Sequence, residues 1–351
     1  MYIDYFGLKE NPFTISPNPR YLYMSEHHRE ALAHLLYGIS GNGCLILLTG
    51  DVGTGKTTVC RSLLEQLPEN TETAMIVNPK LSVEELLETI CEELDIPFSK
   101  NTTSIKTYID GINTHLLKSH TEGKTTVLII DEAQNLDMEV LEQLRLLTNL
   151  ETDTSKLLKI VLIGQPELQE KLKDPRVSQI DQRITSRYHL APLQKNDVVG
   201  FIRHRLIVAG GGRMQFFTEK ALEQAYRLSR GIPRLINILC DRALLGAYAE
   251  EKDQVSETIM LQAAEEVFGE IPAPASPPPF PFFRVIAVAL FTLLFAGAAT
   301  FFFVSTDNAS FRLFSSDFFK ELKNTATGEK NSIPAETMNA ETQDPEKIQA
   351  E

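Results

Sequence analysis

The chain has 351 residues, 43% of them hydrophobic, and a formal net charge of -13 at pH 7. This length allows one large or two medium domains with packed cores, and the acidic balance argues against a surface built mainly to bind nucleic acid. The four cysteines lie far apart in apolar segments, which suggests neither a CxxC metal pair nor a disulfide framework and predicts buried, reduced thiols.

Apolar runs alternate with helical patterns along residues 1 to about 268, which predicts an α/β fold with a parallel sheet covered by helices on both faces. The predicted strands are Cys44–Thr49, Thr73–Val77, Thr126–Ile130, Leu157–Gly164 and Arg187–Leu190. Predicted helices include Lys56–Leu67, Ser82–Leu94 and Asp137–Leu150, and the second of these opens with a capping box formed by Ser82 and Glu85. From Gln194 to Glu266 only helical periodicity remains, which indicates a smaller all-helical subdomain.

The segment LLTGDVGTGKTTVC, which begins at Leu47, contains the pattern GxxxxGK[ST] between a predicted strand and a predicted helix. Its glycines let the backbone curl until successive N–H groups point inward onto phosphates, and the helix N-terminus adds positive potential. The lysine is expected to neutralise the β and γ phosphates, and Thr57 to bind Mg²⁺. The predicted nucleotide-binding residues are Gly50, Asp51, Val52, Gly53, Thr54, Gly55, Lys56, Thr57 and Thr58.

A second apolar run, TVLIIDEAQ, ends in two carboxylates about seventy residues after this loop. Asp131, at the strand end, is expected to hold Mg²⁺, and Glu132 to orient and deprotonate the attacking water. The alternative is an ordinary acidic pair on the surface. The position directly after a buried strand favours the catalytic interpretation, and the predicted cofactors are therefore ATP and Mg²⁺.

Three further polar groups are candidates for the same site. Gln165 closes another apolar strand and is placed to bind the γ-phosphate or the water, although it also suits a turn-capping amide before a proline. Arg183 and Arg187 precede or enter the last strand, where one guanidinium would reach a neighbouring subunit's nucleotide; Arg183 is favoured, and the choice stays open. Arg234 begins a helix of the helical segment and is predicted to bend onto the nucleotide, its alternative being a plain surface arginine.

One stretch, Val285 to Val304, has no charged residue over twenty positions, about the length of a membrane-spanning helix. The proline-rich sequence IPAPASPPPFP precedes it and is expected to be an extended spacer. The polar residues after the span are expected to be largely disordered. The positive charges near the span favour a cytoplasmic tail, but a nucleotide-dependent domain needs cytoplasmic ATP and the N-terminus has no export signal, so we expect the opposite orientation.

Taken together, these motifs resemble those of AAA+ ATPases, and more narrowly the ExeA or GspA family of type II secretion, with its relative MshM of pilus biogenesis. The resemblance spans residues 1 to about 268 and rests on YFGLKENPF, LLTGDVGTGKTT, VLIIDEAQNL, VLIGQPEL, DQRI and GIPRLINILCDRALL. It implies a sheet in the order 5-1-4-3-2, a helical lid, ATP hydrolysis and nucleotide-dependent oligomers. It also implies that Gln165, Arg183 and Arg234 are the sensor 1, arginine finger and sensor 2 residues.

The predicted domains are an AAA+ α/β domain (1–193), a helical lid (194–268), a linker (269–284), a transmembrane helix (285–304) and a short polar tail (305–351). The resemblance implies a homo-oligomeric ring at the bacterial inner membrane, with the ATPase domain cytoplasmic and the tail periplasmic. ExeA-like proteins carry a peptidoglycan-binding domain beyond the membrane, and the short tail here argues against direct peptidoglycan binding.

The expected function is a membrane-anchored ATPase that helps to assemble or position a cell-envelope secretion or export complex. Related ATPases of exopolysaccharide and exosortase loci, and of pilus biogenesis, are the first alternative. A DNA-associated ATPase like the transposition helpers is an alternative of another class, and the predicted span and the acidic charge count against it. A nucleotide sensor without hydrolysis is a third possibility, which Glu132 argues against because a sensor needs no general base.

Overall fold

The computed structural model describes residues 1–16, 18–77, 79–98, 104–211 and 215–269. Within these ranges the chain forms five β-strands, which are β1 (Leu45–Gly50), β2 (Thr71–Ile76), β3 (Thr125–Ile130), β4 (Leu158–Gly164) and β5 (Ile184–Leu190). The α-helices of the same ranges are α1 (Tyr2–Tyr5), α2 (Glu26–Ser40), α3 (Lys56–Gln66), α4 (Val83–Glu93), α5 (Ile105–Thr121), α6 (Met138–Leu147), α7 (Glu167–Leu172), α8 (Ser178–Asp181), α9 (Lys195–Val208), α10 (Glu219–Ser229), α11 (Pro233–Ala249) and α12 (Glu257–Phe268).

All five strands run parallel in one sheet of order β2-β3-β4-β1-β5. This is the predicted order 5-1-4-3-2 counted from the other edge, and the prediction is confirmed. Because the strands are parallel, their carboxyl ends meet at one edge of the sheet, where ligands bind in open α/β folds. The loops that follow β1, β3 and β4 therefore bring the sequence-predicted groups to one place.

The three central strands are mostly apolar because both faces of the sheet are covered. The charged exception is Lys159 of β4, whose Nζ donates to the carbonyls of Gly41 and Gly43. In β1, Leu45 and Leu47 belong to one buried cluster, with side chains of α4 to α8, whereas Ile46 and Leu48 belong to another, with α2 and α3. Successive residues of a strand point to opposite faces, so one apolar run supplies both cores. The four cysteines are buried and unpaired, as predicted.

The edge strand β5 begins three residues earlier than the predicted strand Arg187–Leu190. Its exposed positions alternate with buried ones such as Ser186 and Leu190. A strand at the sheet edge has one partly solvated face, so polar residues interrupt the apolar pattern and hide its first half. Within α4, the predicted capping box is confirmed: Ser82 accepts from the N–H of Glu85, and the carboxylate of Glu85 accepts from the N–H of Ser82.

A third buried cluster joins the helices after β5 to the N-terminal segment. Tyr2, Phe6 and Phe13 pack there with apolar residues of α9, α10, α11 and α12, which we call the lid helices. The buried guanidinium of Arg205 fixes the segment further, since its Nε donates to the carbonyl of Pro12 at 2.6 Å and its Nη2 to that of Thr14 at 2.9 Å. The chain start thus packs on the lid helices, an arrangement that sequence periodicity did not indicate.

The predicted linker beyond Gly269, the predicted transmembrane helix 285–304 and the predicted tail 305–351 lie outside the described residues. Among the helices that the structure describes, none is long and apolar enough to cross a membrane. The membrane span and the domain boundaries therefore stay predictions.

Candidate active site

The loop between β1 and α3 has the tight curvature that its glycines allow. Gly53 and Gly55 have φ values of 81° and 105°, in the left-handed region that other residues rarely adopt. Gly55 precedes the first turn of α3, so the loop's N–H groups lead into the positive end of that helix. The Nζ of Lys56 lies back over the loop, 2.8 Å from the carbonyl of Gly50 and 3.0 Å from that of Asp51.

His28 of α2 supports the apex of this loop and was missed by the sequence analysis. Its Nε2 lies 3.1 Å from the carbonyl of Thr54, and its Nδ1 lies 2.6 Å from the hydroxyl of Ser25. A carbonyl only accepts, so Nε2 carries the hydrogen and, in the neutral ring, Nδ1 accepts from Ser25. Burial lowers the pKa of His28 and favours this neutral form. A Cβ on Gly55 would lie only 2.7 Å from Nε2, so the ring also requires a glycine there.

The predicted magnesium ligands lie together. The hydroxyl of Thr57 donates to Oδ2 of Asp131 at 3.0 Å, and Oδ1 of Asp131 accepts from the N–H of Glu132 at 2.9 Å. Asp131 is 2% exposed, and burial raises the pKa of its carboxyl. Burial also lowers the pKa of Lys56, and the negative charges of Glu132 and Asp131 oppose this effect by raising it.

This pair of oxygen ligands fits Mg²⁺. The ion prefers oxygen atoms and keeps several waters, so it needs only one or two protein groups together with phosphate oxygens. The described residues contain no cluster of three or more His, Cys, Asp or Glu side chains that could hold a metal ion by themselves. A site formed by Thr57 and Asp131 beside a phosphate loop therefore suits an ion that arrives with a nucleotide.

The side chain of Glu132 is held at one oxygen by two amides. Its Oε2 accepts from Nε2 of Gln134 at 2.6 Å and, more weakly, from Nε2 of Gln165 at 3.4 Å. The backbone of Glu132 has φ 55° and ψ 35°, a left-handed conformation that costs on the order of 1 kcal/mol for a residue other than glycine. The loop geometry therefore turns this carboxylate toward the cavity described below instead of along the strand direction.

Gln134 links this carboxylate to the neighbouring strand. Its Oε1 accepts from the backbone N–H of Gln165 at 3.0 Å while its Nε2 binds Glu132. The sequence analysis quoted Gln134 without assigning it a role. Its place two residues after the last carboxylate of the apolar run was the available signal, but the contact with Gln165 depends on the pairing of β3 with β4.

A cavity of about 310 Å³ lies over the loop and collects most of the predicted residues. The predicted residues that line it are Val52, Gly53, Gly55, Lys56, Thr57, Thr58, Glu132, Gln165 and Arg234. Gly50, Asp51, Thr54 and Asp131 are not among the lining residues: Asp51 is exposed, Gly50 and Thr54 are buried in the loop, and the buried Asp131 pairs with Thr57. The cavity is therefore lined by a phosphate loop on one side and a carboxylate on the other.

Arg234 reaches this cavity from the lid helices. Its backbone N–H lies 3.3 Å from the carbonyl of Gly53, and a Cβ on Gly53 would lie 2.7 Å from the Cβ of Arg234. The first turn of α11 is thus in direct contact with the phosphate loop, and Arg234 lines the cavity. This position agrees with the predicted contact between Arg234 and the nucleotide.

Arg183 and Arg187 are both remote from the cavity of their own subunit, and neither is among its lining residues. Arg183 is half-buried and donates to the side chains of Thr148 and Asn149 at the end of α6. Arg187 lies within β5, is 46% exposed and forms an ion pair with Asp181. The contacts of both arginines are thus with other segments than the phosphate loop, and the choice between them stays a prediction.

Comparison with known proteins agrees with this geometry. Residues 40–172 match the model of a family described as an AAA domain. Over 269 residues the chain is 55% identical to General secretion pathway protein A from Aeromonas hydrophila, an alignment that covers 77% of this chain and 49% of that protein. The chain therefore spans about half the length of this relative.

Solved structures share the fold at low sequence identity. CDC6P from Pyrobaculum aerophilum aligns with a TM-score of 0.58 and 20% identity, over 74% of this chain and 72% of that one. A chain of Drosophila ORC bound to DNA aligns with a TM-score of 0.55 and 22% identity, over 74% and 65% of the two chains. At these identities the likeness extends to the fold alone.

Proposed function

Because the chain belongs to the AAA+ ATPases of the ExeA/GspA family, we propose that it binds ATP with Mg²⁺ and hydrolyses it. The observation that carries this proposal is one cavity with the phosphate loop on one side and the Glu132 carboxylate on the other. A protein that only senses nucleotide needs the loop but not the carboxylate. The combination therefore favours turnover over binding alone.

The residues near the phosphates have distinct roles in this proposal. Lys56, which now binds the carbonyls of Gly50 and Asp51, would turn to the β and γ phosphates when a nucleotide displaces these weaker contacts. Thr57 and Asp131 would hold Mg²⁺, whose charge offsets the negative charge that develops on the transferring phosphoryl group. The loop N–H groups and the first turn of α3 would bind the remaining phosphate oxygens.

The water is activated from the opposite side of the cavity. Oε2 of Glu132 is engaged by amide groups, so Oε1 is the oxygen that would accept the proton of the attacking water. Gln165 is placed to orient the water or the γ-phosphate, and Arg234 to bind the phosphate chain from the lid. Arg183 of a neighbouring subunit in a homo-oligomer would supply the positive charge that stabilises the transition state, with Arg187 as its rival.

In the cell, the proposed role is to assist the assembly or positioning of an envelope secretion or export complex at the bacterial inner membrane. The support is the identity to a general secretion pathway protein and the apolar stretch 285–304, which would anchor a cytoplasmic ATPase domain and place the residues after it in the periplasm. A role in exopolysaccharide, exosortase or pilus systems is the alternative within the same chemistry.

Two substitutions test the chemistry. In Glu132→Gln the side chain keeps its size but loses its basicity, so ATP binding is expected to persist while turnover stops. Lys56→Ala removes the positive charge from the phosphate loop and is expected to lose both binding and turnover. Glu139→Gln, an exposed carboxylate on α6, is the matched control and should behave as wild type.

The measurements are ATP affinity by calorimetry and phosphate release by the purified full-length chain. Equal turnover in wild type and Glu132→Gln would contradict the role of Glu132 as the base. The assay is repeated with duplex DNA. Strong stimulation by DNA would favour the DNA-associated alternative over the envelope role.

A further inference from the structure

Beyond the phosphate loop, the cavity continues into a region that the roles above do not use. Its walls there include Ile15 and Leu22 of the N-terminal segment, Leu193 after β5, Phe201 of α9 and Pro233 of α11. Tyr21 and Tyr23 of the N-terminal segment line the same cavity, so the lining contains three aromatic rings as well as aliphatic side chains. Such a lining suits a flat, uncharged ring system better than further phosphate groups.

Three buried polar atoms in this cavity have no hydrogen-bond partner among the described residues. One is the hydroxyl of Tyr21 in the N-terminal segment, and the other two are Oγ of Ser62, in a residue 3% exposed, and Oδ1 of Asn237, in a residue 7% exposed. Buried polar atoms are nearly always paired, and leaving one unpaired costs on the order of 1–3 kcal/mol. All three residues line the cavity, so a bound molecule is in position to supply missing partners.

Ser62 and Asn237 each lie further along their helix than the residue at its phosphate end. Ser62 is six residues into α3 from Lys56, about 9 Å along the helix axis. Asn237 follows Arg234 by three residues on α11, so the two side chains lie on neighbouring turns of the same helix face. If Arg234 contacts phosphate, Asn237 contacts the part of the ligand that lies one turn further from the loop.

The N-terminal wall of this region is held in place by Arg205. Its guanidinium binds the carbonyls of Pro12 and Thr14, as described above, and lies 5.5 Å from the ring centre of Phe201. Arg205 therefore fixes one wall of the region against α9. The protein walls around a bound ring are therefore already ordered before the ring binds. In such a preorganised site, one polar side chain of the protein is sufficient to distinguish between similar base rings.

We propose that Asn237 reads the nucleotide base and makes the site selective for adenine. The carboxamide oxygen would accept from the exocyclic amino group, and the amide nitrogen would donate to a ring nitrogen, the bidentate pairing that asparagine makes with adenine. Guanine has a carbonyl oxygen in place of that amino group and would leave Oδ1 unpaired. The inference rests on the proposed ATPase function and adds the residue that sets its base preference.

The test compares adenine and guanine nucleotides on the purified full-length chain. Affinities for the non-hydrolysable imido analogues of ATP and GTP are measured by calorimetry, and KM and kcat for ATP and GTP by phosphate release. In Asn237→Ala the affinity for the ATP analogue is expected to fall about 10- to 100-fold, with kcat for ATP close to wild type. A residue that only supports the fold would not separate KM from kcat in this way.

In Asn237→Asp the carboxylate only accepts hydrogen bonds, so it repels the ring nitrogen of adenine, and on the corresponding edge of guanine it would meet two acceptors. The affinity for the ATP analogue is expected to fall about tenfold or more, with no gain in affinity for the GTP analogue. Asn196→Asp makes the same change at an exposed position of α9 and should leave both affinities unchanged. If Asn237→Asp does not fold, Asn237→Ser tests the same base contact, because a serine hydroxyl can make one hydrogen bond to the base where the asparagine amide makes two.

Wild-type affinities and an unchanged ATP to GTP ratio in Asn237→Ala would overturn the inference and mean that Oδ1 is satisfied by water. Failure of the proposed function has a different result, since the wild-type chain itself would then bind or hydrolyse neither nucleotide. If the wild-type chain prefers the ATP analogue to the GTP analogue but hydrolyses neither ATP nor GTP, the hydrolysis proposal is refuted. The base-reading role of Asn237 is then unaffected.

Discussion

The amide of Gln134 offers a sharp test of how the proposed base is positioned. Its Nε2 donates to Oε2 of Glu132 at 2.6 Å, and its Oε1 accepts from the backbone N–H of Gln165 at 3.0 Å. Gln134 itself does not line the cavity. The substitution Gln134→Leu keeps a side chain of similar size but removes both contacts. We expect it to lower kcat while leaving ATP affinity close to wild type.

The magnitude follows from the lost contact. A hydrogen bond to an ionised carboxylate contributes about 1.5–3 kcal/mol. If this orienting energy is lost in full from the transition state, kcat falls about 10- to 150-fold. The weaker contact from Gln165, at 3.4 Å, remains and would keep some orientation, so the lower part of this range is expected.

Phosphate release under saturating ATP measures kcat, and calorimetry with the imido analogue measures affinity. Gln169→Leu is the matched control, because Gln169 donates to the hydroxyl of Thr49 at 2.6 Å and has no recorded contact with Glu132. Urea unfolding separates loss of stability from loss of catalysis, since the unpaired N–H of Gln165 costs about 1–3 kcal/mol. An unchanged or higher kcat in Gln134→Leu would refute the reasoning and mean that the amide holds Glu132 in an idle position.

Two further predictions concern the subunit contact and pH. Arg183→Ala is expected to reduce turnover about 1,000-fold or more. Mixing Arg183→Ala with Lys56→Ala in one oligomer should restore activity if the arginine acts on a neighbouring subunit. If instead only the mixture of Arg187→Ala with Lys56→Ala restores activity, Arg187 is the arginine finger. The lowered pKa of His28 implies that the unfolded chain takes up its proton first as pH falls below about 6.5. Stability is therefore lost from there down through the folded-state pKa, and urea unfolding of His28→Gln should show a flatter pH dependence; an identical slope would contradict this assignment.

The local features of the site were readable from the sequence because each depends on neighbouring residues. The glycines of the loop permit one backbone shape, and Lys56 and Thr57 follow them at fixed positions on a helix that starts there. Asp131 and Glu132 directly follow a buried strand, so their arrival at the sheet edge needed only the strand direction. The strand order came from resemblance to a family, because an apolar run carries no information about which run lies beside it.

The remaining parts of the site depend on tertiary structure. His28, Gln134 and Asn237 belong to three separate segments: His28 contacts Thr54, Gln134 contacts Gln165, and Asn237 lines the cavity. An amide or an imidazole has the same local pattern whether it faces solvent or a ligand, so only the packing of α2, β4 and α11 around the loop reveals its role. The sequence by itself determined the phosphate-loop and carboxylate motifs, and tertiary packing determined what supports the loop and what holds the carboxylate. The physical reason is that backbone propensity and apolar period act over a few residues, whereas the contacts of His28 and Gln134 join residues 26 and 31 positions apart.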